Sequence, residues 1–385
     1  MISTLKIYLR FIIYFFLNLF ITPSKVQNKK TILLMRLDAI GDYILFRNYI
    51  ELLKKSDKYK QYSITLLGNT AFKTIANELD KKNIDNFIWI DLDKFNKNLF
   101  YRYDKLKEVT SVGYEVLISP VFSRNFFVVD NFVKLINAKH KIGSVGNLSN
   151  IKKWQKRLSD KYYDILIPVN SNILFEFLRN KEFFEALLSE KIDMKKPYIF
   201  LEDKKQTFKL PKKYAILFIG GSSVLKKWDA KNFTQIGKYL KDRYSYEIVI
   251  CGSVNDKKEA SKFNSFFKDS YIDLVGKTSL VEFFYLLSDS DLIVSNETSA
   301  PHIAVALDVK KIFVIYSGIH YCRFAPYPNE ISENYHIICD ERIKKDTQNY
   351  KILSNSYGYT SKFSIDDITV DMVKKQIDEV LDEKH

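Results

Sequence analysis

The polar run Ser295-Asn296-Glu297-Thr298-Ser299 sits inside DLIVSNETSAPHIAVALDVKKIFVIYSG, residues 291–318, and is the stretch around which the chain is organised. It sets hydroxyls and a carboxylate between an apolar strand, Leu292-Ile293-Val294, and an apolar helical run, Ile303 to Leu307. Pro301 falls in the first helical turn, where a missing N–H is tolerated. A second strand, Ile312 to Tyr316, completes a βαβ unit. Free N–H groups and the positive end of a helix dipole meet at such a turn, which suits a phosphate. The competing reading is an ordinary turn capped by Ser299.

Two further turns carry chemistry. Gly220-Gly221-Ser222-Ser223 follows the apolar run Tyr214 to Ile219, and Lys226-Lys227-Trp228 comes next. Glycines let the backbone approach a ligand, serines add hydroxyl donors, and a lysine reaches a phosphate as a point charge. A solvated basic loop is the plainer alternative. Gly41-Asp42 follows the strand Thr31 to Met35 and precedes a helical pattern from Tyr43 to Lys54. Asp42 is then either a helix cap or a carboxylate at the edge of a parallel sheet, where ligand crevices form. The turn lacks the three-glycine dinucleotide fingerprint, so a nicotinamide cofactor has no support. Two D-x-D pairs, Asp91 with Asp93 and Asp289 with Asp291, are short enough to arise by chance and give little reason to expect a metal.

The elements that must hold these turns alternate along 385 residues, enough for two domains of ordinary size. A hydrophobic fraction of 46% supplies a core. In the first half, strands at Tyr62–Leu67, Phe87–Ile90 and Glu115–Ile118, and a short one from His140, alternate with helices. One helix opens at Ser123-Arg124-Asn125 and runs to about Asn137, and residues 171–190 form another, with Ile173 and Leu174 inward. The pattern resumes at Tyr214, with Ile248–Ile250, a short strand near Ile272, and Thr278 ahead of the next helix. Few hairpin signals argue for doubly wound parallel sheets. The expected division is a leader at 1–28, a first domain at 29–195, a linker at 196–212 and a second domain at 213–385. Residues 340–359 are polar and irregular and give no reading.

Net charge is +14. Part of it belongs to residues 1–30, the leader and its junction, where Lys6, Arg10, Lys25, Lys29 and Lys30 stand without an acid; the other lysines are interspersed with Asp and Glu, and no RNA-binding signature appears. Residues 5–22 are strongly apolar, but Arg10 and Asn18 interrupt them, leaving a run far shorter than the ~20 residues a membrane span needs. No small-residue cleavage site follows. An interfacial helix on an anionic leaflet fits best, and a helix docked on the protein's own core is the alternative. Cys251, Cys322 and Cys339 show no paired spacing, so a reducing compartment fits.

Four stretches in order, ILLMRLDAIGDYIL (32–45), GGSSVLKKWDAKNF (220–233), LVGKTSLVEFFYLL (274–287) and DLIVSNETSAPHIAVAL (291–307), resemble glycosyltransferase family 9, the ADP-heptose:lipopolysaccharide heptosyltransferases. The resemblance runs from about Lys30 to Leu381. It implies an α/β GT-B fold, two Rossmann-like doubly wound parallel-sheet domains facing a cleft, with the nucleotide-sugar donor mainly on the second and the acceptor mainly on the first. It implies inverting, metal-independent transfer with no cofactor beyond the donor, at the inner face of the cytoplasmic membrane, and a lipid-linked or lipopolysaccharide glycan as acceptor. Asp42 matches the family's base and Lys226 its phosphate-binding lysine. Ser222 and Ser223 match the hydroxyl residues after Gly221, and Glu297 through His302 match the Asp-Thr-Gly-x-x-His run. Thr278, Glu297, Thr298, Ser299 and His302 then join the donor site, with a buried helix histidine bonded to backbone as the other reading of His302. Arg36 and Arg124 meet acceptor phosphates, with pairing to Asp38 as the other reading of Arg36. Glu297 and Ser299 depart from the family's Asp and Gly, which opens the donor to nucleotide sugars other than ADP-heptose. Nucleotide-sugar epimerases and hydrolases share the architecture, and a non-catalytic nucleotide-sugar binding protein is a third reading.

Overall fold

The computed structural model describes residues 2–26, 29–170, 175–202, 208–361 and 363–382. The inward positions Ile173 and Leu174, and part of the expected linker, lie outside them. The chain divides into two compact units. One comprises Met1–Ile173, Leu178–Asp193 and Ser356–Gly358; the other comprises Leu174–Phe177, Met194–Asn355 and Tyr359–His385.

The first unit is built on six parallel strands: β1 (Thr31–Arg36), β2 (Ser63–Asn69), β3 (Asn86–Ile90), β4 (Tyr114–Ser119), β5 (Ala138–Ser144) and β6 (Ile165–Ile167). The second repeats the plan with β7 (Tyr214–Phe218), β8 (Glu247–Cys251), β9 (Ile272–Asp273), β10 (Leu292–Asn296), β11 (Ile312–Ile315) and β12 (Tyr335–Ile338). The sheet orders are β3-β2-β1-β4-β5-β6 and β9-β8-β7-β10-β11-β12. Each sheet therefore reverses its winding once, between β1 and β4 and between β7 and β10, and it is at such switch points that open α/β sheets bind ligands.

The central strands read as near-continuous apolar runs because helices cover both faces. Ile32 to Met35 and Leu292 to Val294 are fully buried. Leu33, Met35, Leu117 and Phe132 join one core; Leu217, Ile250, Val294, Phe313 and Trp228 join the other. Burying each such side chain contributes roughly 1.5–3 kcal/mol.

Several sequence expectations need correction. The helical pattern from Tyr43 to Lys54 is two helices, Ile40–Ile44 and Asn48–Lys55, separated by a turn at residues 45–47. The helix expected from Ser123 begins only at Val129, because Arg124 and Phe126 are drawn into the interior. Strands β6 and β12 are additional, and the unread stretch after Asp340 contains helices Glu341–Lys345 and Thr347–Leu353.

The leader forms the helix Ile2–Leu19. One face is docked on the first unit. Tyr14 lies under the Arg102 guanidinium, 3.6 Å from its ring centre, and Asn18 Nδ2 donates to Asn131 Oδ1 at 2.7 Å. Phe11 stacks on Phe126 and meets the edge of Trp154. The opposite face leaves Leu5, Leu9, Ile12, Phe16 and Leu19 exposed. No helix among the described residues is long and apolar enough to cross a membrane.

Candidate active site

In the second unit β7 and β10 are neighbours, with Ser295 opposite Phe218. The turns that leave them, 219–229 and 297–298, start side by side. Asn296, the last residue of β10 and fully buried, ties them together. Its Nδ2 donates to the carbonyls of Ile219 (3.2 Å) and Gly220 (3.0 Å), and its Oδ1 accepts from the Trp228 N–H at 3.0 Å. Both ends of the glycine-serine-lysine loop are thus fixed to one side chain. The loop also depends on glycine at 221, where a Cβ would lie 2.6 Å from Lys227 Cγ.

The two lysines of the loop have different partners. Lys227 Nζ is taken by Asp256 at 2.8 Å and Glu259 at 3.3 Å. Lys226 Nζ, with its side chain 18% exposed, lies 2.7 Å from Oε1 of Glu297, which is 5% exposed. The other Glu297 oxygen accepts from Ser317 Oγ at 3.3 Å. Burial pushes the Glu297 carboxyl above its ordinary range, and the Lys226 charge and hydrogen bond pull it back. An ammonium has three donors. One is spent on Glu297, and the pair holds the cation at the sheet's upper edge.

Thr298 caps the helix Ser299–Ala306, its hydroxyl accepting from the Ala300 N–H at 3.2 Å, so the cap is Thr298 and not Ser299. Ser299 occupies an ordinary helical position in the first turn, and its side chain meets no left-handed backbone. His302 is buried. Its Nδ1 bonds the Tyr327 hydroxyl at 2.7 Å, and burial, then the Lys226 charge, lowers its pKa to about 3, so the ring is neutral. Ser222 and Ser223 are exposed at the loop tip, and Thr278 stands half-buried just before Ser279, which caps its own helix.

In the first unit Asp42 lies in the helix after β1. Its Oδ2 accepts from the Ala39 N–H at 3.3 Å, and its Oδ1 is 3.8 Å from Arg36 Nη2. It does cap its helix, yet its side chain keeps 20% exposure. The two arginines expected to meet acceptor phosphates are elsewhere engaged. Arg36 is fully buried, with Nε 2.8 Å from Asp38, Nη1 donating to Asn180 at 3.2 Å and Nη2 to the Asp42 carbonyl at 3.2 Å. Arg124 is 1% exposed, pairs with Asp160 and lies 3.8 Å from Asp130. Desolvated guanidiniums already matched to carboxylates hold loops together, and neither is open to an acceptor phosphate.

The D-x-D acids have local uses. Asp91 Oδ1 caps a helix through the Lys94 N–H at 3.0 Å, Asp93 pairs with Lys97 at 2.5 Å, and Asp291 Oδ2 accepts from the Tyr214 N–H at 3.1 Å. Among the described residues no cluster of His, Cys, Asp or Glu is arranged to hold a metal ion.

Lys226 and Glu297, distant in sequence, are brought together, with Thr298 and His302 on the same turn and helix. Sequence reasoning missed Asn296 and Ser317, whose only signal was position at or just beyond a strand's carboxyl end, and Tyr327, which lies in the long connection between β11 and β12 and gave no signal.

Residues 109–353 match the model of glycosyltransferase family 9 (heptosyltransferase). No curated protein matches the chain. Among solved structures, a family 9 glycosyl transferase from Veillonella parvula aligns with a TM-score of 0.63 at 17% identity, covering 94% of this chain and 100% of that one. E. coli heptosyltransferase WaaC with ADP-2-deoxy-2-fluoro heptose aligns with a TM-score of 0.62 at 15% identity, covering 91% and 99%. E. coli ADP-heptose LPS heptosyltransferase II aligns with a TM-score of 0.59 at 15% identity, covering 92% and 99%. At these identities the structural likeness speaks for the GT-B fold, and the family model, which spans well over half the chain, speaks for descent. The chain belongs to glycosyltransferase family 9, the heptosyltransferase family, and is a glycosyltransferase.

Proposed function

We propose that this enzyme transfers a sugar from a nucleotide-sugar donor to a hydroxyl of a lipopolysaccharide core or other cell-surface glycan, with inversion and without a metal ion. The observation that carries the reading is the Lys226 ammonium, partly exposed at the second unit's switch point and braced by buried Glu297 at 2.7 Å. As the sugar–oxygen bond breaks, the diphosphate takes the bonding electrons and charge builds on its terminal phosphate. Lys226, the hydroxyls of Ser222, Ser223 and Thr298, and the N–H groups at the start of the helix Ser299–Ala306 are the groups that would absorb that charge. Asp42 takes the acceptor hydroxyl's proton as its oxygen bonds to the anomeric carbon from the opposite side. A carboxylate suffices, because the hydroxyl becomes acidic only as the new bond forms.

The donor belongs to the class named for WaaC, whose solved complex holds an ADP-heptose analogue. Glu297 and Ser299 leave room for a different sugar or base. For location, the exposed apolar face of the helix Ile2–Leu19, followed by exposed Lys25, Lys29 and Lys30, suits the inner, anionic face of the cytoplasmic membrane.

The test is turnover with ADP-, UDP- and GDP-sugars, with and without a glycan acceptor. Release of nucleoside diphosphate that requires the acceptor is the expected result. Equal turnover of donor alone would refute transfer and favour a hydrolase or epimerase.

A further inference from the structure

We propose that His320 is a recognition residue for a hydroxyl of the transferred sugar, presented beside Lys226 by the loop that follows β11. The inference rests on the donor-site reading above and extends it to the sugar.

β11 lies next to β10, with Ile315 opposite Asn296, so the loop beginning at Tyr316 rises beside Glu297. Ser317 makes the junction through its bond to the Glu297 carboxylate. The loop is tied down along its length. Tyr316 Oη donates to the Ile319 carbonyl at 2.9 Å, the Cys322 N–H to the Ala325 carbonyl at 2.7 Å, and Ser354 Oγ to the Tyr321 carbonyl at 3.0 Å. Within it His320 has φ of +58° and Cys322 of +63°. Residues with a Cβ adopt the left-handed region at a cost, and they persist there only where the surroundings over-determine them.

The ring presented in this way has one unmet need. It is hydrogen-bonded to the Ser354 backbone, while its Nδ1 is buried with no partner. Burial and the charges of Arg323 and Lys226 lower its pKa to about 3, so the imidazole is neutral. A neutral ring whose N–H is given to a carbonyl offers its second nitrogen as an acceptor. A buried acceptor without a donor is unfavourable in the empty protein, and a ligand that supplies the donor recovers that loss. A phosphate oxygen cannot do so, being an acceptor itself. A sugar hydroxyl can, and the sugar is joined directly to the phosphate assigned to Lys226, whose charge both His302 and His320 feel.

The test is calorimetric binding of matched pairs, ADP with ADP-heptose, UDP with UDP-glucose and GDP with GDP-mannose, to the wild-type chain, His320→Ala and His320→Gln. For the pair that the wild type binds, His320→Ala should weaken the nucleotide sugar by about tenfold, the size of one hydrogen bond, and leave the diphosphate within about twofold. His320→Gln, whose amide oxygen can accept, should recover part of the loss and keeps the test open if the alanine variant folds poorly. Equal losses for diphosphate and nucleotide sugar, or no loss for either, would overturn the inference. Failure of the wild type to bind any of the six probes would instead overturn the donor-site reading and this inference with it.

Discussion

Asn296 offers the sharpest physical test of how the donor loop is held. Asn296→Ala strands the Trp228 N–H and the carbonyls of Ile219 and Gly220, all on buried or nearly buried backbone. A buried polar group left unpaired costs roughly 1–3 kcal/mol. With three groups affected and some relaxation of the carbonyls, about 3 kcal/mol of unfolding free energy should be lost. Asn296→Asp separates this account from simple loss of packing. The aspartate can still accept from Trp228, but its second oxygen faces two carbonyl oxygens unless it carries a proton. Its folded pKa is therefore raised above the unfolded value near 3.9. One carbonyl loses its donor at every pH, while the pH-dependent part of the penalty is absent below that value and grows by about 1.4 kcal/mol per pH unit as pH rises toward the folded pKa. Urea denaturation at pH 5 and pH 7.5 reads both effects. An alanine variant that loses under about 1 kcal/mol, or an aspartate gap independent of pH, would refute the reasoning.

Other predictions concern the remaining groups. Asp42→Asn should lower transfer by about a hundredfold or more, the usual range for a general base, with donor affinity changed only a few fold; full activity would remove Asp42 from the mechanism. His302 is held neutral, with its folded pKa of about 3 below the unfolded value. The stability from that burial is complete above about pH 6.5 and is lost as pH falls toward 3, amounting to about 2 kcal/mol by pH 5. His302→Asn should accordingly show a stability–pH slope smaller by about one proton in that window, and an unchanged slope would contradict the assignment. Leu9→Asp with Phe16→Asp alters side chains that are 56% and 57% exposed on the leader helix. The double variant should keep its unfolding free energy to within about 0.5 kcal/mol per site. It should also lose binding to vesicles rich in anionic lipid, and binding equal to wild type would rule out that surface.

What the sequence revealed follows from how local each signal is. The βαβ unit around Glu297 could be read because an apolar strand, a polar turn and an apolar helix announce themselves within a few residues. The pairing of Arg36 with Asp38 is local enough to be weighed from sequence, but the engagement of Arg124 is not, since its partner Asp160 lies far along the chain. Strand β6 has only three residues and β12 four, too few for a periodicity to stand out. The pairing of Lys226 with Glu297 and the clamp at Asn296 arise because β7 and β10 are neighbours at the switch point, a fact of topology. The leader's composition fitted both a docked helix and a surface helix. The structure gives one face to docking on the first unit and leaves the other face apolar and exposed.

The central claim is that a fixed ammonium on the second unit receives the diphosphate of the donor. Isothermal titration of wild type and Lys226→Ala with ADP, UDP and GDP tests it most directly. The account predicts that one diphosphate binds the wild type and that the variant loses about 1.5–3 kcal/mol, the range for a hydrogen bond to a charged group. Equal affinity in the two proteins would contradict it.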